Sequence, residues 1–140
     1  MTEPLSVTEA LVLSGKTLRL VPRGRSMLPL LDGESDSVVV VPLRSLPKRF
    51  SLALYRDAED ALVVHRVVAV HGETGTCDLL GDGNLRIERD VPLSSLCGVV
   101  ERIRRRGHEF SVNHPVYKLY TYLWYILLLC RKRLLGRMYR

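Results

Sequence analysis

Aromatic side chains are nearly missing from most of this 140-residue chain: of nine Phe, Trp and Tyr, only Phe50 and Tyr55 precede residue 110. Cysteine is scarce too. Cys77, Cys97 and Cys130 are odd in number and lack metal-ligand spacing, which argues against a disulfide framework or a zinc site and favours a reducing compartment. The N-terminal Met-Thr-Glu-Pro-Leu-Ser-Val-Thr-Glu-Ala has no basic stretch followed by an apolar core, so a secretory signal or N-terminal anchor is not expected there. The body is accordingly expected on the cytoplasmic side. No internal repeat or low-complexity segment interrupts the chain, and its length suits one domain that buries roughly two thirds of its unfolded surface.

Charge is distributed as unevenly as the aromatics. Residues 101–140 carry ten Lys/Arg against two Asp/Glu, whereas residues 1–100 carry eleven against thirteen, so the net +6 belongs to the tail alone. Two independent properties therefore divide the chain into a body, residues 1–112, and a basic, aromatic-rich segment, residues 113–140.

Within the body, Ser6-x-x-Glu9 is a capping-box pattern and Gly15 suits a helix end, which predicts a short helix over about residues 7 to 14. Period-two or β-branched runs then predict strands at Thr17–Val21, Ser37–Val41, Leu52–Arg56, Ala61–Val70, Thr76–Leu80 and Gly98–Arg104. Turn-forming stretches such as Gly72-Glu73-Thr74-Gly75 and Gly81-Asp82-Gly83-Asn84 separate them. Many short strands broken by turns imply a mainly β, antiparallel domain. In the tail, Asn113 or His114 can cap a helix with Pro115 at its first position and Gly136 at its end, about twenty residues or roughly 30 Å.

Two positions invite chemistry. Ser26 lies in Gly24-Arg25-Ser26-Met27-Leu28-Pro29, where Gly24 permits unusual backbone angles and Pro29 stiffens the exit. A serine hydroxyl becomes a nucleophile only with a base in reach and donors aimed at the oxyanion. His65 sits inside Leu62-Val63-Val64-His65-Arg66-Val67-Val68, and alternation puts it on one face with Val63 and Val67. Burial there favours the neutral imidazole that a base requires. Asp82, at a strand end, can orient that histidine. Each residue also has a structural reading: a turn serine, a satisfied core histidine, and an Asp-Gly turn. His71, His108 and His114 lie by turns or in the basic tail and are read as solvent-facing or structural.

The ordered set Ser26-Met27-Leu28-Pro29, His65-Arg66-Val67-Val68, Gly81-Asp82 with Asn84, and Gly98-Val99-Val100 resembles the signal peptidase superfamily, which includes the LexA-like self-cleaving repressors. The resemblance covers about residues 15 to 103. It implies a β fold of short antiparallel strands and a serine endopeptidase acting on an extended peptide or preprotein segment. Bacterial signal peptidase I pairs its serine with a lysine in a Lys-Arg-Val-like motif. Here His65 occupies that place, as in the Ser/His branch of endoplasmic-reticulum and archaeal signal peptidases. Carried over, Ser26 is the nucleophile, His65 the general base and Asp82 the orienting acid, with Gly24, Arg25, Met27 and Pro29 beside the substrate. No metal or cofactor is implied. Phe50-Ser51 stands where the family usually has Gly-Asp, and Gly24 where some relatives carry a second serine.

Leu119 to Cys130 is apolar at all but Thr121, yet twelve residues span only about 18 Å of helix against a hydrocarbon core of roughly 30 Å. Tyr117, Tyr120, Tyr122, Trp124 and Tyr125 suit an interfacial belt, and Arg131-Lys132-Arg133 with Arg137 and Arg140 suit an anionic surface. The expected partner is therefore a membrane surface, with a helix packed on its own domain or on a second copy as the alternative. Nucleic acid is not expected, because the aromatics cluster in an apolar run instead of alternating with Arg102, Arg104, Arg105 and Arg106. Two rival functions stand beside the peptidase: a silent peptide-binding module at the membrane, and a self-processing regulator in which Cys97-Gly98 resembles a scissile pair.

Overall fold

The computed structural model describes residues 17–21, 27, 30–31, 36–57, 59, 62–83 and 86–138, with side chains to residue 130. The helix expected near residues 7 to 14 lies outside them, as do Gly24, Arg25, Ser26 and Pro29. The chain is mainly β with one C-terminal helix. The strands are β1 Leu18–Leu20, β2 Ser37–Val41, β3 Leu52–Arg56, β4 Leu62–His71, β5 Thr76–Leu80, β6 Glu88–Pro92, β7 Leu96–Arg105 and β8 His108–Ser111, followed by α1 Pro115–Met138. All pair antiparallel in the order β1-β2-β7-β3-β4-β5-β6.

β7 is the spine. One edge pairs with β2 along most of its length, while the other pairs first with β3, through Gly98 opposite Leu54, and then with β8. Cys97-Gly98 thus lies inside a central strand, and cutting it would require pulling that strand out of the ladder.

Two strands escaped the sequence pattern. β8 closes on β7 through Arg106-Gly107, both at positive φ (51° and 82°), the geometry of a type I′ hairpin. The N–H of Arg106 is received by Asp36 at 3.0 Å. β6, Glu-Arg-Asp-Val-Pro, is a charged edge strand whose Asp90 sits at φ 56°, its N–H donated 3.0 Å to the Asp78 carboxylate. Neither segment alternates in hydrophobicity, so pairing alone makes them strands.

Alternation sorts the core onto two faces. Leu52, Leu54 and Val64 pack with Val38, Val40, Val100 and Ile103, while Ala53, Tyr55 and Val67 pack with Cys77, Leu79 and Leu96. Helix α1 covers the first face. Its N-terminus is capped by His114, whose Nδ1 accepts the N–H of Val116 at 3.2 Å, with Pro115 at the first helical position. The helix continues through Gly136 rather than ending there.

Tyr117, Thr121, Trp124 and Leu128 form the buried stripe of α1, at helical spacing, so the segment beginning at residue 113 docks on the body. The opposite stripe, including Val116, Leu119, Tyr122, Leu123 and Leu127, is exposed. No helix among the described residues is long and apolar enough to cross a membrane.

Phe50, in the place where a Gly-Asp pair was expected from resemblance, has φ 72°. A non-glycine residue there costs about 1–2 kcal/mol. Its ring is held 4.7 Å from that of Tyr125, its N–H reaches the Val67 carbonyl at 2.6 Å, and its carbonyl accepts from Arg66 at 2.8 Å. Phe50→Gly and Phe50→Ala both lose the ring, but only alanine retains the backbone penalty. Urea midpoints should therefore place Phe50→Gly about 1 kcal/mol above Phe50→Ala.

Candidate active site

The register of β3 on β4 determines what surrounds His65. Ala53 lies directly opposite it, and Tyr55 opposite Val63. A methyl group across the strand leaves room for the diagonal neighbour, which long side chains can reach. Tyr55 takes that room: the two rings lie 5.5 Å apart, and its hydroxyl is 2.8 Å from Nδ1 of His65. From β6, Glu88 accepts the Tyr55 hydroxyl at 2.7 Å, and the same Oε1 stands 3.3 Å from Nδ1.

His65 is buried, whereas the Glu88 side chain is 41% exposed. Burial lowers the His65 pKa below its ordinary 6.5, with Glu88 and more weakly Asp82 and Asp57 acting in the opposite sense. Burial, reinforced by Glu88, holds the Tyr55 phenol well above its usual value, so it remains a neutral hydroxyl.

Arg66 points to the opposite face and is completely buried. Its Nε and Nη2 each meet a different oxygen of Asp82 at 2.7 Å, a bidentate pair with both side chains fully enclosed. Nη1 donates to the Phe50 carbonyl at 2.8 Å, to the Tyr117 hydroxyl at 3.2 Å and to Thr121 Oγ1 at 3.4 Å. Trp124 offers its ring to the guanidinium at 5.1 Å and its Nε1–H to the Asp82 carbonyl at 2.9 Å. Tyr120 donates its hydroxyl to the Asp82 carboxylate at 3.0 Å.

These contacts correct the part assigned to Asp82. Its carboxylate is occupied by Arg66 and Tyr120, and Nδ1 of His65 is met by Tyr55 instead. A permanently charged buried guanidinium has the stronger demand for a carboxylate, and consecutive strand residues face opposite ways.

Met27, the described neighbour of Ser26, is a core residue rather than a substrate-facing one. It packs with Leu30 and Leu31, and its Sδ receives the Asp82 N–H at 3.4 Å. Met27 is thereby tied to the loop that carries Asp82, the partner of Arg66. Ser26 itself, with Gly24, Arg25 and Pro29, lies outside the described residues.

Elsewhere, His71, Asp78 and Asp90 place their ligand atoms within 4.8 Å of one another. One Asp78 oxygen is taken by the Asp90 N–H, and the other lies 3.2 Å from His71 Nε2 and 3.8 Å from the Arg89 guanidinium. Positive charge is already supplied there by Arg89.

No protein-family model matches the chain, and a search of curated proteins finds no significant match. Geometry therefore carries the functional reading. Tyr55, Glu88 and Arg66 were missed from sequence. Ala53, two residues before a strand tyrosine, was the available signal, but it acquires meaning only once β3 is registered on β4.

Two measurements follow from this geometry. Removing one member of the buried pair, as in Asp82→Ala, should cost about 3–5 kcal/mol in denaturant unfolding, whereas Arg66→Met combined with Asp82→Leu should recover much of it. Because His65 has a lowered folded pKa, the unfolded chain binds its proton first, and stability falls as pH drops through 6.5 toward the folded value. His65→Gln should remove that slope, by up to about 1.4 kcal/mol per pH unit, in unfolding curves taken across the interval.

Proposed function

We propose that this chain is a serine endopeptidase of the signal-peptidase-like type, with Ser26 as nucleophile and His65 as general base. The observation that carries the reading is a buried imidazole, disposed to stay neutral and held at Nδ1 by a tyrosine hydroxyl that itself reaches a carboxylate. A core histidine needs only satisfaction. A base needs to be neutral and held in one orientation.

In the proposed reaction, a substrate segment adds as an extended strand. His65 takes the Ser26 hydroxyl proton as Oγ attacks the peptide carbonyl, and the Ser26 backbone N–H contributes to binding the oxyanion. The proton then passes to the departing amine, leaving an acyl-enzyme that water hydrolyses with His65 again as base. By resemblance, small residues precede the cut. The self-processing alternative is disfavoured by the position of Cys97-Gly98 inside β7.

Purified full-length protein incubated with an extended-peptide library should yield defined cleavages by mass spectrometry. Ser26→Ala and His65→Ala should each reduce them by about 10³-fold or more. Cleavage retained by His65→Ala would overturn the assignment.

The exposed stripe of α1 supports a membrane surface as partner. Basic residues Arg131, Lys132, Arg133 and Arg137 follow it in the same helix, and Tyr122 joins it to a cleft of about 330 Å³ also lined by Lys48, Arg49 and Lys118. Apolar surface bordered by cations suits an anionic leaflet, as on the cytoplasmic side. Leu119→Glu with Leu123→Glu should leave the fold intact, because both positions are exposed, and abolish co-sedimentation with phosphatidylserine-containing vesicles. Undiminished binding would exclude α1 as the contact.

A further inference from the structure

We infer that Tyr55 and Glu88 are positioning residues: the Tyr55 hydroxyl gives its proton to Glu88 and accepts that of His65 Nδ1, which locks the imidazole with its lone pair on Nε2. This deepens the reading of His65 as the base and rests on it for its catalytic consequence, though not for its proton arrangement.

Counting protons leads to a single arrangement. A carboxylate accepts and does not donate, whereas a phenol carries one proton and can also accept. The Tyr55 oxygen is 2.7 Å from Glu88 Oε1 and 2.8 Å from His65 Nδ1. If Tyr55 gave its proton to Nδ1, two oxygens with only lone pairs between them would stand at 2.7 Å. If it gives it to Glu88, its lone pair faces Nδ1, and that nitrogen must carry the hydrogen. The 3.3 Å approach of Glu88 Oε1 to Nδ1 demands the same tautomer, since it offers the N–H a second acceptor.

The arrangement does for His65 what a carboxylate does for a triad histidine, with a phenol inserted between them. Once Nε2 has taken a proton, the Nδ1–H remains accepted, and the Glu88 charge offsets part of the cost of a buried imidazolium. Asp82 and Asp57 contribute to the same end from a greater remove. The aspartate is thus released to neutralise Arg66, on the other face of β4.

Nitrogen-15 NMR of histidine-labelled full-length protein, with His65 identified by comparison with His65→Gln, tests this without any substrate. The wild type should show Nδ1 protonated and Nε2 bare in the neutral form. Glu88→Ala lets the Tyr55 proton turn toward Nδ1, so the population should move to the Nε2–H tautomer and the protonation midpoint should fall. Glu88→Gln keeps an accepting oxygen but not the charge, so the tautomer should persist while the midpoint still falls. In peptide cleavage, kcat should drop at least about tenfold in Glu88→Ala with little change in KM, and less in Glu88→Gln. A wild-type proton on Nε2, or a tautomer unmoved in Glu88→Ala, overturns the inference whether or not the protein cleaves peptides. The expected tautomers in a protein that cleaves nothing would leave the relay standing and overturn the peptidase instead.

Discussion

The buried pair of Arg66 and Asp82 is the constraint on which the rest of the structure depends. A guanidinium cannot discard its charge, so a completely enclosed one must find a carboxylate and satisfy its remaining N–H groups. Those demands draw in the Phe50 carbonyl from the turn before β3, Tyr117 and Thr121 from α1, and Asp82 from the loop after β5. Asp82 in turn receives Tyr120, Trp124 and the thioether of Met27. One ion pair therefore gathers the C-terminal helix, two loops and the segment beside Ser26 onto a single face of the sheet.

Strand geometry separates this anchoring from the candidate chemistry. His65 and Arg66 are consecutive, so they face opposite ways and can share a backbone without sharing partners. On the Arg66 side, charge is neutralised and everything is pinned. On the His65 side, the carboxylate stands at the edge of the sheet, partly in water, and reaches the imidazole through a tyrosine. Burial then favours the neutral imidazole, while Glu88 limits how far its affinity for a proton falls.

Helix α1 serves both sides of a different boundary. A segment apolar around its whole circumference cannot be buried by one small sheet. Tyr117, Thr121, Trp124 and Leu128 satisfy the sheet and the ion pair, and the opposite stripe is left exposed with cations beyond it. The aromatic concentration noticed in the tail thus has two uses: hydroxyl and indole groups that bond to the buried pair, and apolar surface facing outward.

Local pattern alone was enough for the mainly β architecture, for most strands, for the capped start of α1 at Pro115, and for the two faces of β4. Each depends on neighbours in sequence: alternation of Val63, Val64, His65 and Arg66, β-branched runs, and proline's fit at a first helical turn. The β6 and β8 strands depend on partners far along the chain, and their charged sequences conceal them. Tertiary structure alone decided which residues attend His65. Tyr55 reaches it only because Ala53 falls opposite in the register, and Glu88 only because an edge strand carries it there. Asp82, plausible by order along the chain, went to Arg66, because a buried permanent charge competes for a carboxylate more strongly than an imidazole that can stay neutral.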